Sequence, residues 1–284
     1  MTWHATLDLR YQLAQGRTVV RHRHAGPLRV LKSMHPEDAR ICHSVLVHPP
    51  GGIASGDVLD ISVEVESGAH ALVTTPGATR FYRSAGAPGV QNVQLRLGEQ
   101  ARLEWLPLET LIYPGAHAEN RLTLELAGGA SLIGWDVVAL GLPLAGQPFD
   151  RGHLLQRIEW PGLWLEHARI DGQDDRLLNS PLGLAGQRCL ATLFYASAAP
   201  LTRAQREAAL ERTRAVIDAH ALAAHAGVTA LNDRLLVVRA LAPVTEPASD
   251  LWRQIRAAWR RQVRESHPDR MLARVAADEN LHML

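Results

Sequence analysis

Apolar and polar positions alternate with a period of two in Val58-Leu59-Asp60-Ile61-Ser62-Val63-Glu64-Val65, in Val93-Gln94-Leu95-Arg96-Leu97 and in Leu122-Thr123-Leu124-Glu125-Leu126. Successive side chains of a strand point to opposite faces, so each stretch predicts a half-buried β-strand. A short turn and a second, more apolar strand follow each one, at 68–73, 100–105 and 129–135. A weaker fourth copy runs from Leu154 to Glu159, turns at Pro161-Gly162 and resumes at Leu163-Trp164-Leu165-Glu166. The strand pairs recur roughly every 30 residues, which predicts a stacked, solenoid-like β architecture whose units bury their apolar faces against one another. A β-sandwich of regular hairpins would produce a similar period and stays open as the alternative.

The pattern changes after residue 196. Thr202-Arg203-Ala204-Gln205 has the form of a capping box, and the apolar positions from Ala208 to Ala223 follow a helical period. They predict a helix of about 24 residues ended by Gly227. Strands near Val228 to Leu231 and Leu235 to Leu241 predict a hairpin around Asn232-Asp233. A second helix is expected from Asp250 until Pro268, with an apolar stripe of Leu251, Trp252, Ile255, Trp259 and Val263. Arg253, Arg256, Arg260 and Arg264 mark its other side, which reads as a solvated outer face. The chain is therefore expected to be mainly β, a single domain over 1–284 with a β-rich scaffold at 1–196 and a helical and hairpin part at 197–284.

Composition narrows the function classes. Apolar residues make up 46% of the 284 and charged residues 21%, as in ordinary globular proteins. No apolar run of about 18 residues offers a transmembrane helix. Asp8 and Arg10 interrupt the start of the chain before an apolar stretch develops, so no secretory signal is visible and a cytoplasmic location is expected. A net charge of +1 gives no reason to expect nucleic-acid or membrane binding, although arginines concentrate between Arg253 and Arg274. Cys42 and Cys189 are the only cysteines, too few for a disulfide framework, and are expected to be buried thiols.

The familiar catalytic and nucleotide-binding signatures are missing. The segment from Gly26 to Ser33 ends in Lys-Ser but lacks the second glycine of a phosphate loop, and there is no H-E-x-x-H or G-x-S-x-G. His22 and His24 would share a strand face, and Cys42, His43 and His48 bracket another strand. A metal-dependent hydrolase would need three of Cys42, His43, His48 and Asp57 to converge with one coordination position open, and these residues more simply read as core or surface side chains. Two clusters stand out: His48-Pro49-Pro50-Gly51-Gly52-Ile53-Ala54-Ser55-Gly56-Asp57, and Thr74-Thr75-Pro76-Gly77-Ala78-Thr79-Arg80-Phe81-Tyr82-Arg83-Ser84. Their prolines and glycines prescribe a narrow backbone path, and the first ends by presenting a carboxylate.

These clusters resemble the signature segments of the urease accessory protein UreD (UreH) family. Leu103-Glu104-Trp105-Leu106-Pro107 with Glu109-Thr110, Gly134-Trp135-Asp136 with Leu140-Gly141-Leu142-Pro143, Phe149 with Gly152, and Leu163-Trp164-Leu165-Glu166 with Asp171-Gly172 are similar to the family in order and spacing. The resemblance covers residues 26 to 195. Two features depart from it: His167 follows Glu166 where the family usually carries arginine, and a Pro-Arg-Ile/Val-Trp-like ending is missing.

The resemblance implies a non-enzymatic chaperone that binds apo-urease and joins UreF and the GTPase UreG, with two copies in the complex with UreF. It implies no tightly bound cofactor. Nickel would pass transiently through an internal polar tunnel toward the urease active site, or the chain would act as a pure scaffold while nickel travels elsewhere. A conduit must hold Ni²⁺ weakly enough to release it, which suits carboxylates better than thiolates. The matched positions expected to face the tunnel are Asp57, Asp136 and Glu166, with Thr79 as a polar lining residue.

Overall fold

The computed structural model describes residues 2–265. Strands β1 (His4–Ala14), β2 (Arg17–Ala25), β3 (Arg29–Met34), β4 (Ile41–Val47), β5 (Val58–Val65), β6 (His70–Thr74), β7 (Thr79–Phe81), β8 (Gly89–Leu97) and β9 (Arg102–Leu106) form the first half. They are followed by β10 (Thr110–Ile112), β11 (His117–Leu126), β12 (Ser131–Leu142), β13 (Gln147–Pro148), β14 (His153–Trp160) and β15 (Trp164–Asp171). The rest comprises α1 (Asp175–Asn179), β16 (Cys189–Ser197), α2 (Arg203–Asp218), β17 (Ala226–Ala230), β18 (Leu235–Ala242) and α3 (Thr245–Glu265).

Two sheets stack face to face. The first has seven strands in the order β15-β14-β11-β8-β5-β1-β2, and the second has 11 strands along β17-β18-β16-β12-β9-β6-β4-β3 with β7, β10 and β13 attached. The repeated strand pairs are not hairpins. β5, β8 and β11 lie parallel in the first sheet, while their successors β6, β9 and β12 lie parallel in the second. Each repeat therefore crosses from one sheet to the other, and the chain winds as a two-faced solenoid. Register aligns the apolar positions into columns: Leu7, Ile61, Val93, Leu122 and Ile158 stand side by side across β1, β5, β8, β11 and β14. All five are buried, and each such side chain contributes about 1.5–3 kcal/mol when removed from water.

The fourth repeat departs from the coil. β14 and β15 pair antiparallel around Pro161-Gly162, so the chain turns back within the first sheet instead of crossing. Gly162 has φ 76°, a left-handed conformation that a turn of this kind takes from glycine at little cost.

The second sheet carries the helices on its outer face. Ala209 and Ile217 of α2 and Leu251, Trp252, Ile255 and Trp259 of α3 pack against Ile133, Val137, Leu193, Leu236 and Val238. The capping box of α2 forms, with Thr202 Oγ1 accepting from the Gln205 N–H and the Gln205 side chain accepting from the Thr202 N–H. The helix stops at Asp218 rather than at Gly227. Beyond Ala219, His220 Nδ1 accepts the Leu222 N–H at 3.1 Å, and the turn drops Leu222 into the apolar layer. Gly227 instead lies within β17, opposite Arg239 of β18.

α3 begins at Thr245, earlier than the Asp250 expected, with Pro247 in its first turn, where a missing N–H costs nothing. Its arginine side is not a solvated face. Arg256 and Arg260 are largely buried against Glu104, and Arg260 also reaches Glu37, while Arg253 remains exposed. The side chains of Val263 and Arg264, together with Pro268 and the arginine-rich run to Arg274, lie outside the described residues. Cys42 and Cys189 are buried and free.

Candidate functional site

Parity along the strands decides which polar side chains enter the space between the sheets. Ile158 belongs to that inner core, and Glu166 sits opposite it across β14 and β15, so Glu166 points inward from the first sheet. In the second sheet Val138 faces inward, and Asp136 two residues earlier on β12 shares its side. Asp136 stands in one row with Thr192 of β16 and Arg239 of β18. The two sheets thus bring Asp136 and Glu166 together, although they lie 30 positions apart in sequence.

Hydrogen bonds tie the group together. Thr192 Oγ1 donates to Glu166 Oε1 at 3.4 Å, and Arg239 Nη2 donates to Glu166 Oε2 at 2.6 Å. The Gln156 amide donates to Asp136 Oδ2. Gln156 is 6% exposed, and its Oε1 is buried without a hydrogen-bond partner. Further along the inner face of the first sheet, Gln91 Nε2 donates to Asn120 Oδ1 at 3.2 Å, and Asn120 stands beside Gln156 in register. A string of oxygen-bearing side chains therefore runs through an otherwise apolar interior.

The electrostatics of the pair are unusual. Asp136 keeps a little exposed surface, but protein packs around its carboxyl. This burial, with the nearby Glu166 charge added, pushes Asp136 up to about 7, against the opposing hydrogen bond from Gln156. Two carboxylates so placed offer oxygen ligands to a cation and repel each other without one.

The other expected site residues lie apart from this group. Asp57 is 2% exposed, and both of its oxygens serve the backbone: Oδ1 accepts the Trp3 N–H at 2.7 Å and Oδ2 the Ala54 N–H at 2.8 Å. It clamps the turn of the first Pro-Gly cluster to the start of β1. Thr79 of β7 lies in register with Thr110 and Val138, on the inward side of the second sheet, two positions along β12 from Asp136.

The residues that a hydrolase would require do not converge. Cys42 enters the inner core, whereas its neighbour His43 faces the other side and meets Glu37 at 3.0 Å. Burial pushes the His48 imidazole down, partly offset by the Asp57 charge. His22 and His24 stack on the exposed strand β2 with ring centroids 6.4 Å apart. Among the described residues no group of three or more His, Cys, Asp and Glu side chains is placed to hold a metal ion.

Gln156, Thr192 and Arg239 were not singled out by sequence reasoning. A signal exists for two of them. Gln156 occupies an apolar slot in the alternation Leu154-x-Gln156-x-Ile158, and Arg239 interrupts the apolar run from Leu235 to Ala240. Thr192 offers no comparable signal, because threonine is ordinary in strands.

A family model described as the UreD urease accessory protein matches residues 4–273. The chain is 59% identical over 260 residues to the urease accessory protein UreD of Albidiferax ferrireducens, covering 92% of this chain and 94% of that protein. It is 60% identical over 260 residues to UreD of Verminephrobacter eiseniae, with the same coverage. Against UreD of Variovorax paradoxus it is 56% identical over 263 residues, covering 93% of this chain and 95% of that one. With the two-sheet solenoid and its polar interior, these matches place the chain in the UreD family of urease accessory proteins.

Proposed function

We propose that this urease accessory protein helps deliver Ni²⁺ to apo-urease in the cytoplasm, acting with UreF and with the GTPase UreG, and hydrolyses nothing itself. The observation that carries the reading is the inward pair Asp136 and Glu166, joined to Gln156 and Thr192 in the space between the sheets. Nickel is cargo here, not a resident cofactor. Oxygen ligands in small number bind Ni²⁺ loosely and let it leave, which a relay requires. Asp136 and Glu166 are the contact points of this path, and Thr79 adds a hydroxyl on the same inward side. Asp57 contributes by fixing the turn that shapes the scaffold, since both its oxygens are occupied.

The test is co-expression of the urease subunits and accessory proteins with and without this chain, reading the nickel content and activity of urease. Assembled but nickel-poor urease in its absence supports the reading, and normal nickel loading rejects it. Alanine at Asp136 or Glu166 separates relay from scaffold. A complex that still forms while urease stays inactive favours the relay, whereas retained activity favours a scaffold that carries no nickel.

A further inference from the structure

We propose that Arg239 is a displaceable counter-ion for the Asp136–Glu166 pair, holding Glu166 until a divalent cation arrives and swinging out to solvent when the cation takes its place. The inference rests on the reading of this pair as a cation path and specifies how the path is kept selective at rest.

The geometry supplies the argument. Arg239 Nη2 lies 2.6 Å from Glu166 Oε2, a charge-assisted contact that occupies the oxygen a cation would use. The two ends of this ion pair differ in their surroundings. The Glu166 side chain is 22% exposed, whereas that of Arg239 is 51% exposed. An arginine half in water loses little by rotating away, because exposed ion pairs are weak. Glu166 is the more enclosed partner and also accepts from Thr192 at 3.4 Å.

Gln156 meets the pair at Asp136. Gln156 is 6% exposed and directs its amide group to Asp136, leaving Oε1 buried and unpartnered. Buried polar atoms are almost always satisfied, so this orphan oxygen, on the same amide that holds Asp136, marks an unfilled acceptor next to the pair. Asp136 and Glu166 present carboxylate oxygens to one another, and Arg239 supplies a single positive charge to them in the resting protein. A divalent ion brings twice that charge to the same carboxylates, so it can displace arginine where a monovalent ion gains no advantage.

Two measurements on the purified full-length chain test this. Isothermal titration with Ni²⁺ compares the unaltered chain with Arg239→Gln, Arg239→Lys, Asp136→Asn and Glu166→Gln. Arg239→Gln is expected to bind Ni²⁺ roughly tenfold more tightly because the competing cation is gone, while Arg239→Lys stays near the original affinity. Separately, phenylglyoxal labelling followed by peptide mass analysis reads how available the Arg239 guanidinium is. Ni²⁺ should speed labelling of Arg239 in the unaltered chain, and in Glu166→Gln labelling should be fast with or without the ion.

If Ni²⁺ binding depends on Asp136 and Glu166 but Arg239→Gln leaves the affinity unchanged and labelling does not respond to the ion, the counter-ion role is overturned while the relay stands. If neither the chain nor Arg239→Gln binds Ni²⁺ through Asp136 and Glu166, the relay reading falls and takes this inference with it. The labelling experiment needs no variant, so it decides the matter even where a substitution prevents folding.

Discussion

Glu104 on β9 and Arg256 on α3, 152 residues apart in sequence, meet at 2.5 Å on the outer face of the second sheet. Arg260 adds a second guanidinium 3.3 Å from the other Glu104 oxygen, and His70 lies 3.7 Å away. Burial alone would raise the Glu104 carboxyl, but the Arg256 charge, with His70 and the Arg260 charge nearby, outweighs it and holds Glu104 far below the ordinary carboxylate range. This cluster adds an ionic fastening to the apolar contacts that hold α3 on the solenoid.

Replacing Glu104 with alanine should therefore cost about 3 kcal/mol or more, because Arg256 would remain largely buried without its counter-charge and Arg260 would lose Glu104 while keeping Glu37. Urea denaturation followed by circular dichroism measures the loss. A cost under about 0.5 kcal/mol, the level of ordinary surface substitutions, would show that the cluster does not hold the helix.

The same cluster predicts acid sensitivity. Burial opposes ionisation of Glu37, but the His43 hydrogen bond and the Arg260 charge prevail and lower its pKa from 4.5 to about 2. The folded state thus binds fewer protons than the unfolded one, and stability falls as pH drops from about 4.5 toward 2. Melting temperatures across that window should decline less steeply for Glu37→Gln. An unchanged slope would mean that Glu37 is not among the linked groups.

Asp136 shows the opposite linkage. Its pKa is raised, so its contribution is full below the ordinary 3.8 and is lost as pH rises through about 7. Asp136→Asn should melt a few degrees higher than the unaltered protein at pH 8 and close to it at pH 4. The amide retains an oxygen for Gln156, which keeps the comparison to charge. Equal melting points at both values would place the Asp136 carboxyl outside the buried pair.

Asp57→Ala should destabilise by about 1–3 kcal/mol, because the Trp3 and Ala54 N–H groups both lose their acceptor. Asp57→Asn keeps one acceptor oxygen and should fall between alanine and the original residue. Thermal melts of the three proteins check the order.

Much of the strand content was legible because alternation is local. The Val58–Val65 pattern coincides with β5, and the expected hairpin appears as β17 and β18. Alternation tells which side of a strand is buried, but it does not say which strand lies next to it. For that reason the repeat was visible while the crossing of each unit between two sheets was not. The pairing of Asp136 with Glu166 depended on the same non-local fact, since one lies in each sheet.

The buried arginines were illegible for a related reason. Helical spacing put Arg256 and Arg260 opposite the apolar stripe, but solvent there is displaced by Glu104 and Glu37, whose positions only the tertiary fold determines. The early end of α2 was equally hidden, because Gly227 is a common helix terminator and nothing local reveals that it pairs with Arg239 in a strand.

The fastening of β9 by α3 also bears on how the chain acquires its structure during synthesis. Until the segment from Thr245 to Glu265 has emerged from the ribosome, Glu104 lacks its arginine partners and the strip of the outer sheet face beneath α3 has only α2 beside it. The parallel strands already depend on distant partners, and this last contact spans more than half of the chain, so folding is governed by long-range closure and is slow. A chain that has not yet received this helix leaves part of an apolar sheet face open, and shielding that strip until the helix arrives favours the folded state over aggregation.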